Sequence, residues 1–219
     1  MFRGWQEALN GEIQLCPIQL PGRQNRVAEP PFTNVTALVE ALLPALEPFL
    51  DIPFALFGHS MGALVSFELA RECRRSLRIA PACLFVASRR APHMPDPFQH
   101  IAQLPDAAFL AAVHRFQAAP SRLLGNPELA QLMIPAIRAD ISLCETYRYR
   151  SEPPLDCPIS AMAGSQHDEV SAFELNAWSD QTRAGFKVRK FAGGHFFLEE
   201  CASLLVEAIK EDMDCFVPG

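Results

Sequence analysis

The residues of this sequence best suited to chemistry are a serine, a histidine and an aspartate spread over its length. Gly58-His59-Ser60-Met61-Gly62 is a G-x-S-x-G run, preceded by the apolar Phe54-Ala55-Leu56-Phe57 and followed by the helix-like Ala63-Leu64-Val65-Ser66-Phe67-Glu68-Leu69-Ala70. That is the strand, sharp turn and helix in which a serine hydroxyl is thrust out as a nucleophile. The turn holds its serine in a strained backbone conformation, so the residues two places to either side are expected to be small where neighbouring backbone crowds them. Both are glycine. Because a serine hydroxyl is a weak nucleophile at neutral pH, Ser60 predicts a histidine base further along and an acid to orient it. Gly193-Gly194-His195-Phe196-Phe197 supplies the base: it follows a strand candidate and opens a helix. His195 would then project from the carboxyl edge of the sheet, where open α/β folds bind their ligands.

Between Ser60 and His195 lie Asp96, Asp106, Asp140, Asp156, Asp168 and Asp180. Asp168 sits just past the carboxyl end of a strand candidate, which makes it the expected acid. Asp156 falls at the opposite end of that strand, Asp140 in a helical stretch and Asp180 a helix later. His93, His100 and His114 lie in an insertion and His59 flanks the serine, so all four are expected to be structural or surface groups. In a Ser-His-Asp scheme of this kind no metal and no organic cofactor is needed.

Positioning these groups requires a sheet. Short apolar runs bounded by Pro or Gly alternate with helix-like stretches, the pattern of parallel strands joined by crossover helices. The expected strands are Ile13 to Gln19, Phe54 to Phe57, Ala82 to Ala87, Ile159 to Ala163 and Phe186 to Phe191; helices are expected to begin near Asn34, Met61, Glu128, Ser171 and Phe197. Between the third and fourth strands lie about seventy residues, more than one crossover helix uses, so a helical lid inserted at roughly 93–150 is expected. Within it Leu132, Ile134, Ile137 and Ile141, and earlier Phe109, Leu110 and Val113, fall near helical spacing. They form either a packed helix face or, in part, a cover for an acyl chain.

Composition narrows the class. The chain has 219 residues, 49% of them hydrophobic, which suits one domain around one core. A formal net charge of −6 without a Lys/Arg block argues against nucleic acid as a partner. Seven cysteines, without paired spacing, are expected to be reduced and mostly buried in a cytoplasmic protein. No run approaches the ~20 apolar residues of a membrane helix, so no membrane partner is expected.

Leu20-Pro21-Gly22-Arg23 with Arg26, Glu29 and Pro30, which local physics reads only as a turn, resembles the LPGRxxRxxEP signature of the type II thioesterase family. Further matches are Gly58-His59-Ser60-Met61-Gly62, Ser88-Arg89-Arg90-Ala91-Pro92, Leu104-Pro105-Asp106, Arg138-Ala139-Asp140, Glu145-Thr146-Tyr147, Pro153-Pro154-Leu155, Trp178 and Gly193-Gly194-His195-Phe196-Phe197, which together span essentially the whole chain. The resemblance implies an α/β-hydrolase fold and hydrolysis of acyl groups from the phosphopantetheine thiol of a carrier protein, editing a polyketide or nonribosomal peptide assembly line. Carrier proteins are usually acidic, so docking would call for a basic patch. Arg71, Arg74, Arg75 and Arg78 are spaced to share part of one helix surface, which is either that patch or a solvated face.

Two departures from the family pattern bear on the site. The family spacing from Gly164 would place the acid at 167, a histidine here, and a one-residue slip restores Asp168. The family also carries a strand and a glycine-rich loop ahead of the Phe2-Arg3-Gly4-Trp5 run, and that loop supplies one of two oxyanion donors. Here Met1 precedes the run directly, so the N-terminal strand is expected to be missing and the backbone N–H of Met61 to be the remaining donor. Either the reading frame starts further upstream or turnover by this chain is impaired. Rival readings are an esterase or lipase acting on oxygen esters, and a truncated homologue that binds carriers without catalysis.

Overall fold

A computed structural model describes the chain except for residues 1, 3, 10, 12, 96–99, 116–125, 167–169 and 217–219. In chain order its helices are α1 (Trp5–Ala8), α2 (Val35–Leu46), α3 (Met61–Glu72), α4 (Asp106–Arg115), α5 (Pro127–Thr146), α6 (Ala172–Asn176), α7 (Phe197–Glu200) and α8 (Ala202–Phe216). The strands are β1 (Ala55–His59), β2 (Cys83–Ala87), β3 (Ile159–Gly164) and β4 (Phe186–Phe191). They form one parallel sheet in the order β1-β2-β3-β4, with Gly58 opposite Val86, Val86 opposite Ala161 and Ala161 opposite Val188. The fold is therefore α/β, a parallel sheet flanked by helices.

Four of the five expected strands form. Residues 14–19, within the run expected as the first strand, adopt no regular structure. Their backbone has no ladder partner among the described residues, and alternating apolar side chains do not make a strand without a neighbour to pair with. The expected helix starts recur within a residue or two. Ser171 caps α6 with a reciprocal box to Glu174, and the Asn126 side chain accepts from Leu129 N at the start of α5. The final helix is broken at Cys201 into α7 and α8.

The chain divides into two compact units, one made of Met1–Pro17, Val39–Pro95 and Tyr149–Gly219, the other of Ile18–Leu38 and Asp96–Arg148. The first holds the sheet, whose side chains alternate between two apolar faces. Leu84, Val86, Ile159, Ala161 and Ala163 pack with Ala63, Phe67 and Ala70 of α3, Leu175 of α6 and Trp178. Phe85, Ala87 and Met162 turn the other way, onto Trp5, Phe197, Leu198, Leu205, Val206 and Ile209. Strands β2 and β3 are buried throughout, whereas β1 at the edge of the sheet is exposed at Ala55 and half-buried at Leu56 and Phe57.

The second unit has its own core of Ile101, Phe109, Ala112, Val113, Ile134 and Ile137, with Leu110 and Ile141 partly buried beside it. These residues form the packed helix face expected of the insertion. Leu132, 63% exposed, is not on that face. Among the described residues no helix is long and apolar enough to cross a membrane.

One polar group sits inside the second face of the sheet. The Asp212 carboxylate of α8 is fully buried and accepts from Ser160 Oγ (2.7 Å), Lys187 Nζ (2.9 Å) and both Nε and Nη2 of Arg189 (2.9 and 2.7 Å). Burial alone would raise its pKa; the hydrogen bonds from Arg189, Ser160 and Lys187 outweigh that and hold it below the ordinary carboxylate range. A depressed folded-state pKa contributes stability above the unfolded value, near 4, and loses it as pH falls through the folded one. Asp212→Ala, which strips a buried ion pair of one partner, is therefore expected to cost about 3 kcal/mol or more at pH 7. Urea unfolding of the Asp212→Asn variant should show a flatter stability profile below about pH 4 than the parent chain.

Candidate active site

Ser60 stands between β1 and α3 with φ 55° and ψ −116°. Left-handed φ in a residue with a side chain marks backbone strain that surrounding bonds must hold in place. Ser60 N donates to Ala87 O of β2 (2.8 Å), and Ser60 O accepts from Ala63 N (3.1 Å). Of the two flanking glycines, Gly58 is the sterically required one. A Cβ there would lie 2.1 Å from Gly62 O, whereas one at Gly62 would meet nothing beyond its own helix within 4 Å. The expected crowding on both sides thus reduces to one side, because it is the α3 backbone at Gly62 that presses on Gly58.

His195 follows β4 and precedes α7, as expected. Gly193, with φ 110°, makes the turn after the strand. Two bonds bring this loop against the exit of β3: Ser165 N donates to Phe191 O (2.7 Å) and Gln166 N to Gly193 O (2.9 Å). At Gly164 the approach is closer still, since a Cβ would lie 2.3 Å from Gly194 O and 2.4 Å from Gly193 O. The His195 carbonyl accepts from His59 Nε2 (2.8 Å) and from Ser88 Oγ (2.9 Å), and the His59 and His195 rings stand 4.8 Å apart. The ends of β1, β2 and β4 are thereby drawn together around Ser60 and His195, both half-buried.

Asp168, the expected acid, lies outside the described residues, as do His167 and Asp96. The other four candidates are engaged elsewhere: Asp106 with Arg138 (2.6 Å), Asp140 with Arg23 (2.8 Å), Asp156 with Arg183 and Asp180 with His93 (3.3 Å). His100 and His114 are exposed, and His93 also bonds Gln181 (2.8 Å). Ser88 went unnoticed as a site residue in the sequence. A polar residue directly after the strand neighbouring the serine strand was the available signal.

A scan against family descriptions matches residues 1–213 to the thioesterase domain. The chain belongs to the thioesterase family. Its relatives place it among the type II thioesterases, and it is a hydrolase acting on thioesters. It is 41% identical to the linear gramicidin dehydrogenase LgrE of Brevibacillus parabrevis, over 100% of this chain and 84% of that protein. It is likewise 41% identical to the gramicidin S biosynthesis protein GrsT of Aneurinibacillus migulanus, over 94% of this chain and 80% of that protein. Among solved structures it resembles the type II thioesterase BorB from the borrelidin biosynthetic cluster, with a TM-score of 0.89 and 36% identity, covering 97% of this chain and 86% of that one.

Several thioesterase motifs prove to be internal fastenings. Gly22, at φ 81°, turns the Leu20-Pro21-Gly22-Arg23 segment, and Arg23 then grips Asp140 with two bonds. Arg138 reaches Asp106 and the carbonyls of Ala102 and Leu104, while Glu145 accepts from Ile101 N (2.6 Å). Arg90 pairs with Glu174, and Trp178 Nε1 donates to Arg89 O.

Of the four arginines read as either a basic patch or a solvated face, three are paired with carboxylates. Arg71 is buried against Glu68 and Glu152, Arg74 bonds Glu152 and the carbonyls of Pro153 and Pro154, and Arg75 bonds Glu72 and Glu152. These three guanidinium groups meet three carboxylates and so offer an acidic partner little net attraction, while Arg78, the fourth, is exposed.

The cysteines are free, but only three are buried: Cys73, Cys83 and Cys157. Burial pushes Cys73 to about 11 and Cys157 to about 12, so neither is a thiolate nucleophile at neutral pH. Cys16 and Cys215 are exposed, which corrects the expectation of mostly buried thiols. No group of three or more His, Cys, Asp or Glu among the described residues could hold a metal ion.

Proposed function

We propose that this thioesterase uses Ser60 as nucleophile, His195 as base and Asp168 as the orienting acid to release acyl groups from the phosphopantetheine arm of a carrier protein in polyketide or nonribosomal peptide assembly. The observation that carries the proposal is the strained turn at Ser60, bonded through Ala87 to the same strand ends that hold the His195 loop. Asp168 is favoured because the loop from β3 runs beside the His195 loop at Ser165 and Gln166, and because the four described aspartates have other partners.

Ser60 Oγ attacks the thioester carbonyl as the His195 imidazole takes its proton. The C–S bond then breaks and that proton passes to the departing thiolate, leaving an acyl-serine. Water gives a proton to His195 and attacks the acyl-serine carbonyl; the bond from that carbon to Ser60 Oγ then breaks as His195 returns the proton to Oγ, releasing the free acid and restoring both groups. The negative oxygen formed in each step lies near the start of α3, where the Met61 N–H is one of the first-turn donors without an intrahelical acceptor. Each proton and bond in this sequence is handled by protein groups and water, so the proposal calls for no cofactor. The relation to GrsT, a gramicidin S biosynthesis protein, supports a place in peptide assembly, and a cytoplasmic setting belongs to the same proposal. That the 93–150 insertion serves as a lid belongs to the same proposal.

The test pairs substrates that differ in one atom, an acyl-phosphopantetheine thioester on a carrier and its oxygen-ester counterpart, with fluorophosphonate labelling of the serine. Preferential thioester hydrolysis, with labelling confined to Ser60, is the expected result. Faster turnover of the oxygen ester, or labelling elsewhere, overturns the proposal.

A further inference from the structure

We infer that His59 and Ser88 are positioning residues for the base, a role that rests on the reading of Ser60 and His195 given above. Two donors converge on one atom. The backbone oxygen of His195 accepts from His59 Nε2 at 2.8 Å and from Ser88 Oγ at 2.9 Å. A carbonyl oxygen can only accept, so His59 Nε2 carries a hydrogen.

Each donor belongs to a segment that also fixes the nucleophile. His59 ends β1 and is joined directly to Ser60. Ser88 follows β2, next to Ala87, whose oxygen accepts from Ser60 N at 2.8 Å. Ser88 is itself held at φ 51°, with its N–H on Met162 O (2.9 Å), and it is 2% exposed. A buried serine in a left-handed conformation, with its hydroxyl on the base's carbonyl, is a local irregularity that strand pairing alone does not call for.

The loop that receives these bonds is rich in glycine. It leaves β4 through Gly193 and Gly194, two residues without side chains to stiffen the backbone. The His195 backbone is therefore tied from outside the loop, by groups that move with Ser60 as well as by the bonds of Ser165 and Gln166 at the exit of β3. The His59 ring adds a lateral contact, edge-on to His195 at 4.8 Å and 5.4 Å from the Phe196 ring. Nucleophile and base are thus registered to one another through a shared pair of strand ends rather than placed independently.

Removing either donor should loosen the imidazole without touching the acyl group. His59→Phe and Ser88→Ala are each expected to lower kcat about tenfold, and the double variant about a hundredfold, with KM within about twofold of the parent. Fluorophosphonate labelling of Ser60, which depends on the base but not on acyl recognition, should slow in step. His59→Gln, which returns an N–H near the Nε2 position, should recover most of the loss. Ser88→Gly, which relieves the backbone strain but lacks the hydroxyl, should stay as slow as Ser88→Ala. Parent-like kcat in both His59→Phe and Ser88→Gly, or equal loss in His59→Phe and His59→Gln, overturns the inference. If His59→Phe does not fold, the rate of Ser88→Gly decides alone. Ser60→Ala run in parallel separates the two levels: an active Ser60→Ala defeats the underlying reading, whereas an inactive one beside a fast Ser88→Gly defeats only this inference.

Discussion

Ser60→Ala is expected to lower kcat/KM for a carrier-bound thioester by about 10⁴-fold or more and to leave folding intact. The size follows from the loss of the acyl-enzyme route, with only binding and oxyanion contacts left to assist water. Intact folding follows from what Ser60 contributes to the structure. Its bonds to Ala87 and Ala63 run through backbone atoms, which alanine keeps. Alanine also keeps the strain at φ 55°, so melting should stay within a few degrees of the parent. Mass spectrometry of the chain mixed with substrate gives the second readout. An acyl adduct is expected on the parent and none on the variant; an adduct on both would place the nucleophile elsewhere.

Gly164→Ala is expected to lower kcat about 10²-fold or more with a clear fall in melting temperature. The added Cβ would stand 2.3 Å from Gly194 O and 2.4 Å from Gly193 O, both backbone atoms that cannot rotate away. Either β3 or the loop carrying His195 must retreat by about an ångström, and displacements of that order are what catalysis tolerates least. Gly62→Ala is the natural control, because its Cβ meets nothing within 4 Å outside its own helix. Replacing a helical glycine there should hold or raise the melting temperature by relieving backbone entropy. Circular dichroism melts and steady-state rates on both variants check the contrast; a Gly164→Ala chain with parent-like kcat would show that the close approach does not position the base.

How much of this was legible in the sequence depends on the range of each interaction. The strands β1 to β4 and the starts of α3, α5 and α6 were readable because apolar runs, Gly and Pro boundaries and capping residues such as Ser171 act over a few positions. The turns that carry Ser60 and His195 were readable for the same reason, each being a short run with its own signature. The run from Ile13 to Gln19 has the alternation of a strand yet forms none, since pairing depends on a neighbour that no local pattern supplies. Arg71, Arg74 and Arg75 do share a helical surface, but Glu152 arrives from 77 to 81 residues away to meet them. Nothing in their spacing announces it. The bonds from His59 and Ser88 to a backbone oxygen at His195 were invisible for a further reason: a carbonyl acceptor is present at every residue, so its use leaves no mark in residue type. The two-sided glycine requirement around Ser60 was half legible, because only coordinates distinguish the glycine that is pressed from the one that presses.

The left-to-right order of the four strands matches the order in which a ribosome makes them. Strand β1, which leads to Ser60, is made before the other three, and the loop bearing His195 follows β4, more than a hundred residues later. On the proposed roles, a chain whose synthesis has not passed β4 therefore holds the Ser60 hydroxyl without its base.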